Sequence, residues 1–354
     1  MQTEYRKRRD RLRKIIAGLN IDALLVTSLV NVRYLCGFTG SNGFLLISDS
    51  HETLFTDSRY IEQGSEETFN EIDVSLSPGF KGLIGVPGFS KILNLGFESE
   101  NVSHSDFLII GELLTDRTKL ISTNGMVEKI RSIKDKNEID FIKDAACLAD
   151  KAIVHALDLI RPGISESDIA WVIEKFLKEN GADDIAFDTI VATGTNSSKP
   201  HHRAGDTAVK QGDPLIIDMG ASVKGYNSDI TRTVLIESRD EQFDKVYDAV
   251  FEAQMAAINA VSEGVSGKKL DSVARKVIAD RGYGEYFSHG LGHGIGLAVH
   301  EMPMVVPSSE TLIEDGMIFT IEPGVYMPGW GGVRIEDMIL LKSGQVSTLT
   351  NSPK

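Results

Sequence analysis

Four carboxylates stand where apolar strands carry charge only for a reason. The run Leu215-Ile216-Ile217-Asp218-Met219-Gly220 ends in Asp218, and Asn227-Ser228-Asp229-Ile230-Thr231-Arg232-Thr233 brings Asp229 shortly after it. A buried charge is expensive unless it is paired or bound to a metal. Between the two, Val223-Lys224-Gly225-Tyr226 has the composition of a hairpin turn, which would lay the aspartates alongside each other. A plainer alternative has one aspartate capping a turn and the other pairing with Arg232; this pair alone does not decide. The design returns in Met317-Ile318-Phe319-Thr320-Ile321-Glu322 and Gly332-Val333-Arg334-Ile335-Glu336-Asp337, with a Gly/Pro-rich loop between. Two hairpins that each present two carboxylates repel one another unless cations sit among them, and two divalent ions would balance the four charges.

The fifth element is His289-Gly290-Leu291-Gly292-His293-Gly294-Ile295-Gly296-Leu297-Ala298-Val299-His300-Glu301. Glycine at every second position leaves His293 unscreened, as suits a ligand on a strand. The segment is not a dinucleotide loop, because Ile295 breaks the G-x-G-x-x-G spacing. Nor is it a helical zinc motif, since Pro303 follows His300-Glu301 and the second histidine is missing. A lone histidine is more often structural, but three histidines among four glycines favour a functional cluster.

The elements that must position these groups read as two domains. Residues 1–124 alternate strands and helices, as in a small α/β domain: a basic amphipathic helix, strand candidates Ala23–Thr27, Phe44–Ile47 and Thr53–Thr56, and a helix through Arg59–Glu67. Residues 125–354 begin with a linker helix and a longer helix, interrupted around Lys134–Asn137, then a helix over Ile169–Asn180. Extended segments over Phe187–Ile236 and Tyr286–Leu349 flank a helical stretch of about Asp240–Arg281, hinting at an internal duplication.

Composition narrows the function classes. No apolar run is long enough to span a bilayer, so a soluble protein without a membrane partner is expected. The basic run Arg6 to Lys14 invites a nucleic-acid reading, but one short patch on a chain of net charge −14 is a poor phosphate binder. A solvated helix face, with Tyr5, Leu12, Ile15, Ile16 and Leu19 packed inward, is preferred and no nucleic acid is expected. Cys36 and Cys147 form no metal-like or redox-like pair, which fits a reducing cytoplasm.

The order Asp218, Asp229, His293, Glu322, Glu336, in the contexts IIDMG, SDITRT, GHGIGLAVHE, TIEPGVY and VRIEDM, resembles the pita-bread metallopeptidases: methionine aminopeptidase, Xaa-Pro aminopeptidase and prolidase. The preceding domain, with NVRYLCGFTGSNG and FTDSRY, resembles the creatinase-type N-terminal domain. Methionine aminopeptidases lack that domain, so the proline-directed branch is favoured. The resemblance implies an α+β catalytic domain with a pseudo-two-fold duplication and two divalent ions, manganese first, cobalt or zinc as alternatives. It implies that Asp218 chelates one ion, that His293 and Glu322 bind the other, and that Asp229 and Glu336 bridge both. Glu322 would also shuttle the proton, His300 would stabilise the oxyanion, and His201 would assist departure of the proline nitrogen. His289 and Arg334 would position the substrate, although Arg334 also suits simple neutralisation of carboxylates; His202 is read as local structure. Pita-bread proteins that work without metal, or only bind, lack this ligand set, whereas all five positions are filled here. Archaeal prolidases carry an arginine shortly after the HE pair, where this chain has Met304; that favours an aminopeptidase over a dipeptidase. Proline-containing peptides as partners and a homodimer complete the expectation.

Overall fold

The basic first segment forms helix α1 (Gln2–Gly18), and two of its arginines are buried, Arg8 at 6% exposure and Arg9 at 3%. Arg9 donates to Glu52 at 2.8 Å, Glu71 at 3.1 Å and the carbonyl of Leu35 at 3.0 Å, so burial is matched by partners. Leu12 and Ile16 pack inward as expected, but Leu19 is 57% exposed. The basic run is therefore partly an internal clamp rather than a wholly solvated face. The structure, a computed structural model, describes residues 2–77 and 79–354; Met1, at the start of the expected helix, lies outside them.

The chain divides into two units, Met1–Arg131 and Ser132–Lys354. In the first, α1 is followed by β1 (Ala23–Val26), α2 (Leu29–Cys36), β2 (Gly43–Ser48), β3 (Glu52–Thr56), α3 (Ile61–Glu67), β4 (Asp73–Leu76), β5 (Asn94–Glu98), α4 (His104–Leu113), β6 (Lys119–Thr123) and α5 (Met126–Ser132). The strands make one mixed sheet in the order β4-β3-β2-β1-β5-β6, an α/β arrangement. Leu25, Leu46, Phe55, Leu95 and Ile110 share a core on it. The unit runs on past residue 124 because α5 is tied into it: Asn31 Nδ2 donates to Glu128 at 2.5 Å, and Arg131 donates to Asn31 Oδ1 at 2.7 Å.

The second unit opens with α6 (Lys136–Leu157), whose start explains the interruption in the sequence pattern. Asp135 and Glu138 form a reciprocal capping box with bonds of 2.9 and 3.0 Å. Then come α7 (Glu166–Glu179), β7 (Asp184–Ile185), β8 (Ile190–Thr193), β9 (Pro214–Met219), β10 (Ala221–Val223), β11 (Tyr226–Asn227) and β12 (Ile230–Leu235). The chain continues through α8 (Glu241–Asn259), α9 (Gly267–Asp280), β13 (Gly292–Gly294), β14 (Glu301–Val305), β15 (Ile318–Ile321), β16 (Gly324–Met327), β17 (Gly331–Arg334), β18 (Asp337–Lys342) and β19 (Gln345–Thr348). The helical stretch over 240–281 is thus two helices.

Duplication is visible in the hydrogen bonds. Ahead of α7, Gly163 N–H bonds to Val209 O and Val209 N–H to Ile164 O, both at 2.9 Å. Ahead of α9, Gly264 N–H bonds to Ile313 O and Ile313 N–H to Val265 O, both at 2.8 Å. Ser165 and Ser266 then cap their helices in the same way, each accepting from the backbone N–H three residues on. Each half lays two helices against antiparallel strands, β12-β9-β8 in the first and β13-β15-β18 within the five-stranded sheet of the second. This is the α+β, doubled architecture expected for the catalytic domain. Among the described residues, no helix is long and apolar enough to cross a membrane.

Candidate metal centre

In the first half, Lys224 (φ 52°) and Gly225 (φ 77°) form the two-residue turn between β10 and β11. Two left-handed residues in succession match the twist of the flanking strands. Below the turn, β9 and β12 pair with Asp218 opposite Thr231 and Met219 opposite Ile230. Asp218, Thr231 and, by alternation, Asp229 therefore share one face.

In the second half, β15 and β18 pair with Ile321 opposite Asp337, so the next positions out, Glu322 and Glu336, come together at the strand ends. The Gly/Pro-rich segment between them is not a bare loop. It folds into the hairpin β16–β17, in which Gly332 is held against Ser197: Gly332 N–H donates to Ser197 Oγ at 2.8 Å, and a Cβ on it would lie 2.2 Å from the Ser197 carbonyl oxygen.

His293 rises from β13, which is paired on both sides, with β14 and β15. The flanking glycines serve closeness more than exposure: a Cβ at Gly292 would lie 2.0 Å from Thr320 O, and one at Gly294 would lie 2.1 Å from Met302 O. His293 Nδ1 faces Gly294 O at 3.1 Å, which fixes Nδ1 as the donor and aims the Nε2 lone pair at Glu322 (3.3 Å) and Asp229 (3.6 Å).

All nine residues singled out in the sequence, Asp218, Asp229, His293, Glu322, Glu336, His201, His300, His289 and Arg334, line one cavity of about 820 Å³. Within it, ligand atoms of Asp229, His293 and Glu336 all lie within 4.8 Å of one another. Asp218 and Glu322 stand outside that tightest trio. Asp218 Oδ2 accepts from Arg334 Nη2 at 2.5 Å, while its Oδ1 is buried and, among the described residues, without a hydrogen-bond partner. Arg232, the alternative partner for an aspartate, instead meets Asp337 at 2.8 Å and pairs with none of the four carboxylates. His202 bonds to the buried Glu166 at 2.8 Å, consistent with a local role.

Burial pushes Asp229 and Glu336 well above the usual carboxylate range, and neighbouring carboxylates push them further. Glu322 is raised to about 7, burial again being the largest cause. His289 is pushed down to about 4 by burial and then by Arg334; burial also lowers His293 and His300. Oxygen donors crowded until they resist ionisation, one imidazole nitrogen and an orphaned carboxylate oxygen make a donor set that fits divalent cations.

Several supporting groups escaped the sequence reading. Thr231 donates to Glu336 Oε2 at 2.7 Å, and Thr320 donates to Glu322 at 3.1 Å. The Tyr326 hydroxyl accepts from Arg334 Nη1 at 2.7 Å and lies 2.9 Å from His289 Nε2. Thr231 was findable, since it alternates with Asp229 along a strand. Tyr326 sits within the quoted TIEPGVY, but nothing local marks its hydroxyl.

Fold and donor set together make a candidate metal centre between two similar halves. The chain belongs to metallopeptidase family M24, whose model matches residues 140–343; residues 8–133 match the creatinase/prolidase N-terminal domain. It is 40% identical to the uncharacterized peptidase YqhT of Bacillus subtilis, over 98% of each chain. Among solved structures, it superposes on the Xaa-Pro dipeptidase from Bacillus anthracis with a TM-score of 0.94, at 39% identity over 99% of this chain and 98% of the other. It superposes on the X-Pro aminopeptidase from Thermotoga maritima with a TM-score of 0.86, at 38% identity over 94% and 96%.

Proposed function

We propose that the protein is a dinuclear metal-dependent exopeptidase that hydrolyses the Xaa-Pro bond at peptide N-termini, as a Xaa-Pro aminopeptidase. The observation that carries this reading is the trio Asp229, His293 and Glu336, within 4.8 Å, beside the orphaned Oδ1 of Asp218 in the same cavity. Asp218 would hold one ion, His293 and Glu322 the other, and Asp229 and Glu336 both. Two divalent ions, manganese for preference, supply when bound a water acidic enough to attack at neutral pH.

The chain's own residues do the rest. Glu322, which accepts from Thr320 at 3.1 Å and lies 3.3 Å from His293 Nε2, is assigned to take and return a proton from the attacking water. His300, lowered by burial and by His293, is a neutral donor available to an oxygen that gains charge. His201 lines the same cavity and is assigned to the proline nitrogen as it departs. His289, Tyr326 and Arg334 form a bonded chain that orients the Asp218 side of the cavity. Residues 125–354 would form the catalytic domain. Two free cysteines support the proposed cytoplasmic location; the proposed homodimer rests on family resemblance alone.

Met304 gives the cavity an apolar group where a carboxylate-holding cation would make a dipeptidase, which supports the aminopeptidase. The dipeptidase reading is favoured by the Bacillus anthracis relative. Hydrolysis of a Xaa-Pro dipeptide against a Xaa-Pro-Xaa tripeptide, with defined metals, separates them: the aminopeptidase reading expects the tripeptide to be cleaved better, and cleavage of the dipeptide alone overturns it.

A further inference from the structure

An arginine in the cavity wall pairs with no side chain or carbonyl among the described residues. Among the cavity-lining residues, only Arg203 and Arg334 are lysine or arginine. Arg334 is fully engaged, donating to Thr231, to the carbonyl of Pro200, to Tyr326 and to Asp218. Arg203 is exposed to the cavity and, among the described residues, has no hydrogen-bond or ion-pair partner. The acids nearest to it in kind, Glu174 and Asp188, line the same cavity without pairing with it.

Its backbone, by contrast, is held firmly. Glu166 is fully buried, and its Oε2 lies 2.8 Å from His202 Nε2 and accepts from Gly205 N–H at 3.2 Å, on either side of residue 203. Its other oxygen accepts from Thr193 N–H at 2.9 Å and Asn196 Nδ2 at 3.0 Å. An exposed, unpartnered guanidinium on a fixed base, two residues from His201, is suited to receive an anion. A negative group entering this cavity meets a wall already crowded with carboxylates, so it needs a countercharge of its own. A planar guanidinium offers the two parallel donors that a carboxylate accepts.

We propose that Arg203 is a specificity-determining residue whose guanidinium receives the free C-terminal carboxylate of a short proline-containing peptide bound across the metal centre. From a wall position other than that of Met304, it would add Xaa-Pro dipeptides to the longer peptides that the aminopeptidase takes. The inference rests on the peptidase reading above.

The test compares Ala-Pro with Ala-Pro carboxamide, on the manganese-loaded full chain and its Arg203→Met and Arg203→Lys variants. Arg203→Met is expected to lower kcat/KM for Ala-Pro by about 10- to 100-fold, mainly through KM, the range for losing a charged hydrogen-bond partner. The carboxamide should change by less than about twofold, and Arg203→Lys should recover part of the loss. A second readout is calorimetric binding of the same two compounds with the scissile carbonyl reduced to CH2, so that a CH2–N bond to the proline ring replaces the amide and cannot be hydrolysed. Equal effects on carboxylate and carboxamide, or none on either, overturn the proposal. If Ala-Pro is cleaved but its advantage over the carboxamide survives Arg203→Met, the peptidase reading stands and this inference falls. If nothing is cleaved yet carboxylate binding depends on Arg203, the reverse holds. A wild-type protein that neither cleaves nor binds overturns both.

Discussion

In the first half of the catalytic unit, Asp218 and Asp229 come from strands joined through a single tight turn at Lys224-Gly225; in the second, Glu322 and Glu336 are separated by the whole hairpin β16–β17. Among the described residues, Asp218 and Asp229 have no lysine or arginine partner from the first half, and the second supplies Arg334 to Asp218. The exchange runs both ways. Thr231 of the first half orients Glu336 of the second, and Arg232 of the first pairs with Asp337 of the second while donating to the carbonyls of Thr231 and Glu336. Similar halves thus hold each other's candidate ligands, and the candidate centre is a property of their docking rather than of either alone.

That comparison breaks most visibly at the residues assigned to both ions. Asp229→Asn and Glu336→Gln, one from each half, are expected to lower kcat/KM on a Xaa-Pro peptide by about a thousandfold or more, and to a similar extent. A variant that keeps near-normal turnover would remove its half from the chemistry. Next in size is the buried Arg232–Asp337 pair, with side chains 1% and 0% exposed. Arg232→Met removes one of the two cations that meet Asp337, leaving Lys354, and takes donors from the carbonyls of Thr231, Glu336 and Ser352; it should cost about 2–3 kcal/mol, read from the urea midpoint. Arg232→Met with Asp337→Leu should recover only part of that, because the carbonyls that Arg232 served stay without their donor.

Tyr326→Phe sharpens the comparison from inside the second half. It removes the hydroxyl between His289 and Arg334, and activity should fall about 10- to 100-fold with little change in fold, the usual effect of losing a group that orients ligands. The smallest effect concerns pH. Glu322 holds its proton up to about 7 in the metal-free protein against an ordinary value of 4.5. Its contribution to stability is therefore complete below the ordinary value and is lost as pH rises through 7. Asp229 and Glu336 are shifted in the same direction. Thermal midpoints of the metal-free protein should fall between pH 5 and pH 8, and manganese should remove most of that slope. A flat metal-free profile would contradict it.

Much of the centre was legible because its signals are local. A carboxylate closing an apolar run, a Lys-Gly pair between two such runs and alternating glycines around a histidine each occupy a few consecutive residues. What escaped depends on partners far along the chain. Nothing around Arg9 announces Glu52 and Glu71, so a buried clamp read as a solvated face. Tyr326 finds His289 thirty-seven residues away. The β16–β17 hairpin read as a loop because Gly331 and Gly332 are set by the approach of Pro214 and Ser197, not by strand propensity.

Anomalous diffraction from crystals soaked in manganese tests the docking of the two halves around metal most directly. Two peaks lying among Asp218, Asp229, His293, Glu322 and Glu336 are predicted, both vanishing in Asp229→Asn or Glu336→Gln crystals of the same fold. No peak in that cavity, or ions held by residues of one half only, would contradict the account.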